Sequence, residues 1–100
     1  MVRRDPVTPD LRLAVLDRDH HACVAPVIDR RATFGCEGRL TLDHVKDQPR
    51  IGKRAPSDRR HLVTLCWRHH LDGWATAHRP ELRAYLARVE KADAADGAPL

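Results

Sequence analysis

The segment "HLVTLCWRHH", residues 61–70, holds three histidines and a cysteine within ten positions, interleaved with Leu62, Val63, Leu65 and Trp67. The apolar residues predict partial burial, and buried imidazoles and thiols need partners. Cys66 and His69 stand three apart at the expected start of a helix, so their side chains share a face. That spacing is a half-site for tetrahedral zinc. Cys23 and Cys36 lie upstream, and with Cys66 and His69 they supply a Cys3His set that closes a zinc sphere with no open position. Other arrangements remain open. Cys23 and Cys36 could pair as a disulfide, His20 or His21 could displace Cys23 or His69, and each thiol could be a small buried hydrophobe.

A second cluster stands beside the first. His70 follows His69 directly, so on a helix the two imidazoles point about 100° apart and can serve different sites. Upstream, "LDHV" offers the neighbours Asp43 and His44, which face opposite ways on a strand. An Asp and two His around a hard divalent ion, with a further imidazole close by, is the equipment of metal-assisted hydrolysis. An imidazole with its ordinary pKa of ~6.5 can take a proton from water near neutral pH. Taken singly, Asp43 could cap a turn, His44 could be a polar strand residue and His61 could bond a backbone carbonyl; order and spacing favour the set.

These residues must be positioned by few elements. "TPDLRLAVLDRD" carries Pro9 and Asp10 at its start, then Leu11, Ala14 and Val15 at helical spacing, which predicts a short helix over 9–18 after a loose arm, 1–8. Residues 20–38 read as an irregular loop, with Pro26, Gly35 and Gly38 breaking any pattern. "RLTLDHV" and "HLVTLC" read as short strands, and a helix is expected to open near Cys66. "RPELRAYLARVEKAD" predicts a further helix with Pro80 in its first turn and an apolar stripe of Leu82, Tyr85, Leu86 and Val89. The domain is expected to end near residue 91, leaving a disordered tail over 92–100.

Composition makes a metal structurally useful. Leu, Ile, Val and Phe together account for 22 of 100 residues, a thin core for a chain that gains from a staple. Three cysteines are too few for a disulfide framework, and "MVRRDPVTPD" lacks the apolar core of a signal peptide, so a reducing cytoplasm and no membrane are expected. The net charge is +4, and 15 of the 18 basic residues are arginine, which grips phosphate bidentately; a coding bias toward arginine explains the excess nearly as well. "KDQPRIGKRAPSDRR" carries a net charge of +4 by itself and reads as an exposed loop suited to a phosphate backbone or simply to solvent.

The succession of "LDHV" and "HLVTLCWRHH" resembles the HNH endonuclease family, whose metal site has Asp-His or His-His on the first strand and an Asn-Leu-x-x-Leu-Cys-x-x-Cys-His run leading into the helix. The wider pattern, over residues 10–90, looks like the small HNH proteins of actinobacterial phages and their hosts. The resemblance implies a small α+β fold, a ββα-metal domain with flanking N- and C-terminal helices and a structural zinc. It places Asp43 and His70 as ligands of a catalytic ion, His44 as general base, and Cys66 and His69 on the second zinc knuckle. His61 stands where the family has Asn, as a third ligand or a brace, and an imidazole there shifts preference from Mg2+ towards Mn2+, Ni2+ or Zn2+. The implied substrate is DNA, with Arg50, Lys53, Arg54 and Arg68 as phosphate contacts, and the implied partner is a phage terminase or other packaging protein. A non-catalytic zinc-stapled module that binds nucleic acid or protein is the rival expectation.

Overall fold

A computed structural model describes residues 6–45 and 57–95. In chain order the elements are α1 (Pro9–Arg18), α2 (Ala25–Ile28), a 3-10 segment (Arg30–Gly35), β1 (Leu40–His44), a 3-10 turn (Arg59–His61), β2 (Leu62–Cys66), α3 (Trp67–Leu71), α4 (Trp74–Ala77) and α5 (Arg79–Ala95). The result is a mixed fold of helices around a two-stranded antiparallel sheet. The long connection from β1 to β2 includes most of the basic loop, and Arg50, Lys53 and Arg54 lie outside the described residues.

Local chemistry sets the boundaries. Thr8 caps α1, its hydroxyl accepting from the Leu11 N–H at 3.1 Å, and Pro9 needs no donor at that position. Cys66 caps α3, and Gly73, at φ 92°, takes the left-handed conformation that ends it. The segment expected to open one helix near Cys66 therefore forms two short ones. The expected loop 20–38 likewise contains α2 and the 3-10 segment. Both are too short to be stable alone and are held by tertiary contacts. Helix α5 runs on to Ala95, past the expected end of the domain at 91.

Strand β2 is buried along its whole length. Val63 and Leu65 face the main core, formed with Val24, Ala25, Val45, Ala75 and the Leu82, Tyr85 and Leu86 stripe of α5. Its register on β1 pairs Leu40 with Cys66 and Asp43 with Val63. Beyond β2 no third strand follows among the described residues, yet its outer edge is sealed. The Val24 N–H donates to the Thr64 carbonyl at 2.9 Å, the Thr64 N–H donates to Asp19 Oδ2 at 2.9 Å, and Arg18 donates to the Leu62 carbonyl at 2.6 Å. An exposed strand edge invites pairing with other chains, and here α1 and the segment after it occupy that edge.

Arg18 and Asp19 are the centre of this seal. All five N–H groups of the Arg18 guanidinium are used: two on Asp19, and one each on Glu90, the Arg59 carbonyl and the Leu62 carbonyl. Asp19 accepts from Arg18 on both oxygens, from the Thr64 N–H, and from the Tyr85 hydroxyl at 2.7 Å. Burial opposes the guanidinium charge, but its bonds and charge pairing with Asp19 and Glu90 hold its pKa above the ordinary value. Burial first, and then the Asp19 carboxylate, push the Tyr85 phenol upward.

Candidate functional site

The cysteines converge on one imidazole. Cys23, Cys36 and Cys66 place their sulfurs 3.7, 3.6 and 3.2 Å from His69 Nδ1. The four ligand atoms lie within 4.8 Å of one another, and among the described residues they are the one group of three or more metal-binding side chains. An ion about 2.3 Å from sulfur and about 2.0 Å from nitrogen at tetrahedral angles requires a sulfur–nitrogen separation of about 3.5 Å. The cluster fits that figure and could hold a metal ion such as zinc. It draws on the segment after α1, the stretch before β1, the end of β2 and α3, so a bound ion would tie four parts of the chain together. The His20 and His21 alternatives do not join it. Both are exposed, with φ of 61° and 52°, and His21 Nε2 lies 2.6 Å from Asp17 Oδ1.

Electrostatics favours a cation at the same point. Desolvation raises the Cys23 thiol, outweighing the backbone N–H groups of Cys66 and Ala25, which lower it. Cys36 is exposed as a residue, but desolvation of its sulfur, followed by the charge of Cys23, pushes it up to about 12. Cys66 is shifted the other way. Burial raises it, but the His69 and Glu37 N–H groups, 3.5 and 3.4 Å from its sulfur, bring its pKa below the ordinary thiol value. Three thiolates in so small a volume repel, and an ion among them removes that cost. Gly35 gives His69 its room: a Cβ there would stand 3.0 Å from His69 Nε2. Gly35→Ala should displace the ring by a few tenths of an ångström and weaken zinc binding about ten-fold in chelator competition.

His70 turns away from this cluster. The Thr41 hydroxyl donates its single proton to the Leu65 carbonyl at 2.8 Å, so the 2.7 Å contact with His70 Nδ1 is an N–H donation from the imidazole. This tautomer, assigned from the hydrogen-bond network, leaves the Nε2 lone pair facing Asp43 Oδ1 at 3.3 Å. Two lone pairs that close repel unless a cation lies between them, either a second proton on the ring or a metal ion. Two ligands about 2.1 Å from one ion at 90–109° stand about 3.0–3.4 Å apart, which this pair satisfies. Thr41 and Asp43 are two apart on β1 and share a face, a period-two relation that could have identified Thr41 from the sequence.

His44 and His61 lie at the end of β1 away from the cysteines. His44 Nε2 is 2.9 Å from the Ser57 hydroxyl, and His61 Nδ1 is 2.7 Å from Asp58 Oδ1. Among the described residues no third His, Cys, Asp or Glu joins Asp43 and His70 as a ligand triad. Arg68 is exposed at the cysteine end, near Glu37 at 3.6 Å and Asp72 at 3.9 Å. The residue the sequence did not reveal is Arg79, whose Nη1 donates to Asp43 Oδ2 at 2.7 Å and to the His44 carbonyl at 2.9 Å. Nothing in its spacing, 36 positions from Asp43, points to the pairing. No helix among the described residues is long and apolar enough to cross a membrane. Compared with protein-family models, curated proteins and solved structures, the chain matches none.

Proposed function

We propose that the chain is a metal-dependent endonuclease of the HNH type, with the Cys3His cluster as a structural zinc site and Asp43 and His70 as ligands of a second, catalytic ion. The observation that carries the reading is His70 Nε2 held 3.3 Å from Asp43 Oδ1, with the other ring nitrogen engaged by the Thr41 hydroxyl. A divalent ion bound there would polarise a phosphodiester and stabilise the departing oxygen. His44, held by Ser57, takes a proton from the attacking water. Attack on phosphorus breaks the bond to the 3′-oxygen, which departs as an alkoxide opposite the new 5′-phosphate and takes a proton from solvent to become the 3′-hydroxyl. His61, tied to Asp58, fixes the start of β2 and through it the register that brings Asp43 over His70. DNA is the substrate, and a phage packaging machine is the setting in which such a small nuclease would act.

The test is plasmid nicking with added Mg2+ or Mn2+. The parent should nick, and His44→Ala should nick about 100-fold more slowly, the lower range for a lost general base. Equal rates would remove the base assignment. One observation favours the non-catalytic module instead: Arg79 already gives Asp43 an ionic partner within the protein. Counting metals separates the two, since the module would bind one zinc and no second divalent ion.

A further inference from the structure

Arg79 joins the candidate catalytic site from the first residue of α5. Its Nη1 uses both protons, one on Asp43 Oδ2 and one on the His44 carbonyl. This has two consequences for Asp43. Its Oδ2 is occupied, so Oδ1 alone is presented to His70, and the carboxylate is fixed in rotation. Its charge is also compensated by the guanidinium. A carboxylate already neutralised by a fixed guanidinium is a poor site for a free divalent ion. It becomes a good one once a phosphate brings further negative charge.

The rest of the guanidinium is available for that phosphate. Among the described residues no partner stands on Arg79 Nη2 or Nε, and its side chain is 32% exposed. Those two groups form the fork with which arginine grips a phosphate oxygen pair.

We propose that Arg79 is a positioning residue that holds Asp43 as a one-oxygen metal ligand and takes a DNA phosphate on its open edge, so that divalent ion and DNA bind this site together. The inference rests on the nuclease reading of Asp43 and His70. Linkage requires the coupling to be mutual: whatever DNA does for ion affinity, the ion does for DNA affinity. Lysine could keep the charge but not the two-pronged grip.

The experiment titrates zinc-loaded protein with Mn2+ by electron paramagnetic resonance, with and without a short DNA duplex. His44→Ala serves as the background so that the duplex survives. With Arg79 present, DNA should tighten Mn2+ binding at least about five-fold. In Arg79→Ala, Mn2+ alone should bind more tightly than in the background, and the gain from DNA should fall below about two-fold. Arg79→Lys should keep the weak binding of Mn2+ alone while losing most of the gain. Zinc content and circular dichroism establish that each variant is folded; if Arg79→Ala is not, Arg79→Lys decides. An Arg79 variant with the background's Mn2+ affinity and an undiminished DNA gain overturns the proposal. If the Arg79-containing protein binds no Mn2+ beyond its zinc even with DNA, the nuclease reading has failed and this inference falls with it.

Discussion

With zinc in the proposed Cys3His site, Cys66→Ser should abolish both metal binding and the cooperative melting transition. Cys66 has three roles at once: its sulfur is 3.2 Å from His69 Nδ1, it accepts from the His69 N–H as the cap of α3, and it accepts from the Glu37 N–H. Serine can take over part of the capping, but its hydroxyl is a poor zinc ligand and a shorter one. A three-ligand remnant would hold zinc weakly. The metal contribution to folding is then lost, and for structural zinc that contribution is about 10–16 kcal/mol near neutral pH. A domain of this size has about 5–15 kcal/mol of stability in all. With only 22 large aliphatic or phenylalanine residues in 100, the core cannot make up the difference. Far-UV circular dichroism and a thermal scan read the outcome, and a strong chelator should do the same to the parent, reversibly on adding Zn2+. A Cys66→Ser protein that melts cooperatively within a few degrees of the parent would show that the cluster is not the staple.

The parts of this molecule legible in the sequence are those with a period or a ligand spacing. The stripe of Leu82, Tyr85, Leu86 and Val89 repeats at helical intervals, and three of the four are buried with Val89 packed against them. Pro9 and Pro80 mark helix starts because proline lacks the donor a first turn does not need. The divergence of His69 and His70 follows from 100° per residue, and the two rings do reach different neighbours. Hidden from the sequence were features that exist only through contact. Helix α2 and the segment around Ala32 are too short to have a readable period and owe their form to packing under α5 and β2. Arg79 reads as an ordinary helix-start residue until α5 swings it onto β1. Nothing in the charged run that closes α1 singles out Arg18 and Asp19, although their side chains are 2% and 0% exposed.

That buried pair carries the second large effect: Asp19→Ala should destabilise the protein by about 3–5 kcal/mol. The reason is what the carboxylate leaves behind rather than the strength of its own bonds. Without it, Arg18 keeps a buried positive charge with only Glu90 opposite, and four donors lose their acceptor, two of them on Arg18 itself. The Thr64 N–H and the Tyr85 hydroxyl are two groups in that position, each buried. The outer edge of β2 opens with them, since the Asp19 carboxylate stands where a third strand would pair. Tyr85→Phe removes one donor and leaves the ion pair intact, so it should cost only about 1 kcal/mol. Asp19→Asn tests the charge separately: it keeps the shape but points an amide N–H₂ at donors, and should fall near Asp19→Ala rather than near Tyr85→Phe. Urea unfolding of zinc-loaded protein measures all three, with zinc per chain followed alongside. Because the pair joins α1, β2 and α5 and touches none of the four metal ligands, the folded fraction of each variant should keep its metal. An Asp19→Ala midpoint no lower than that of Tyr85→Phe would mean that water, not the carboxylate, satisfies this edge.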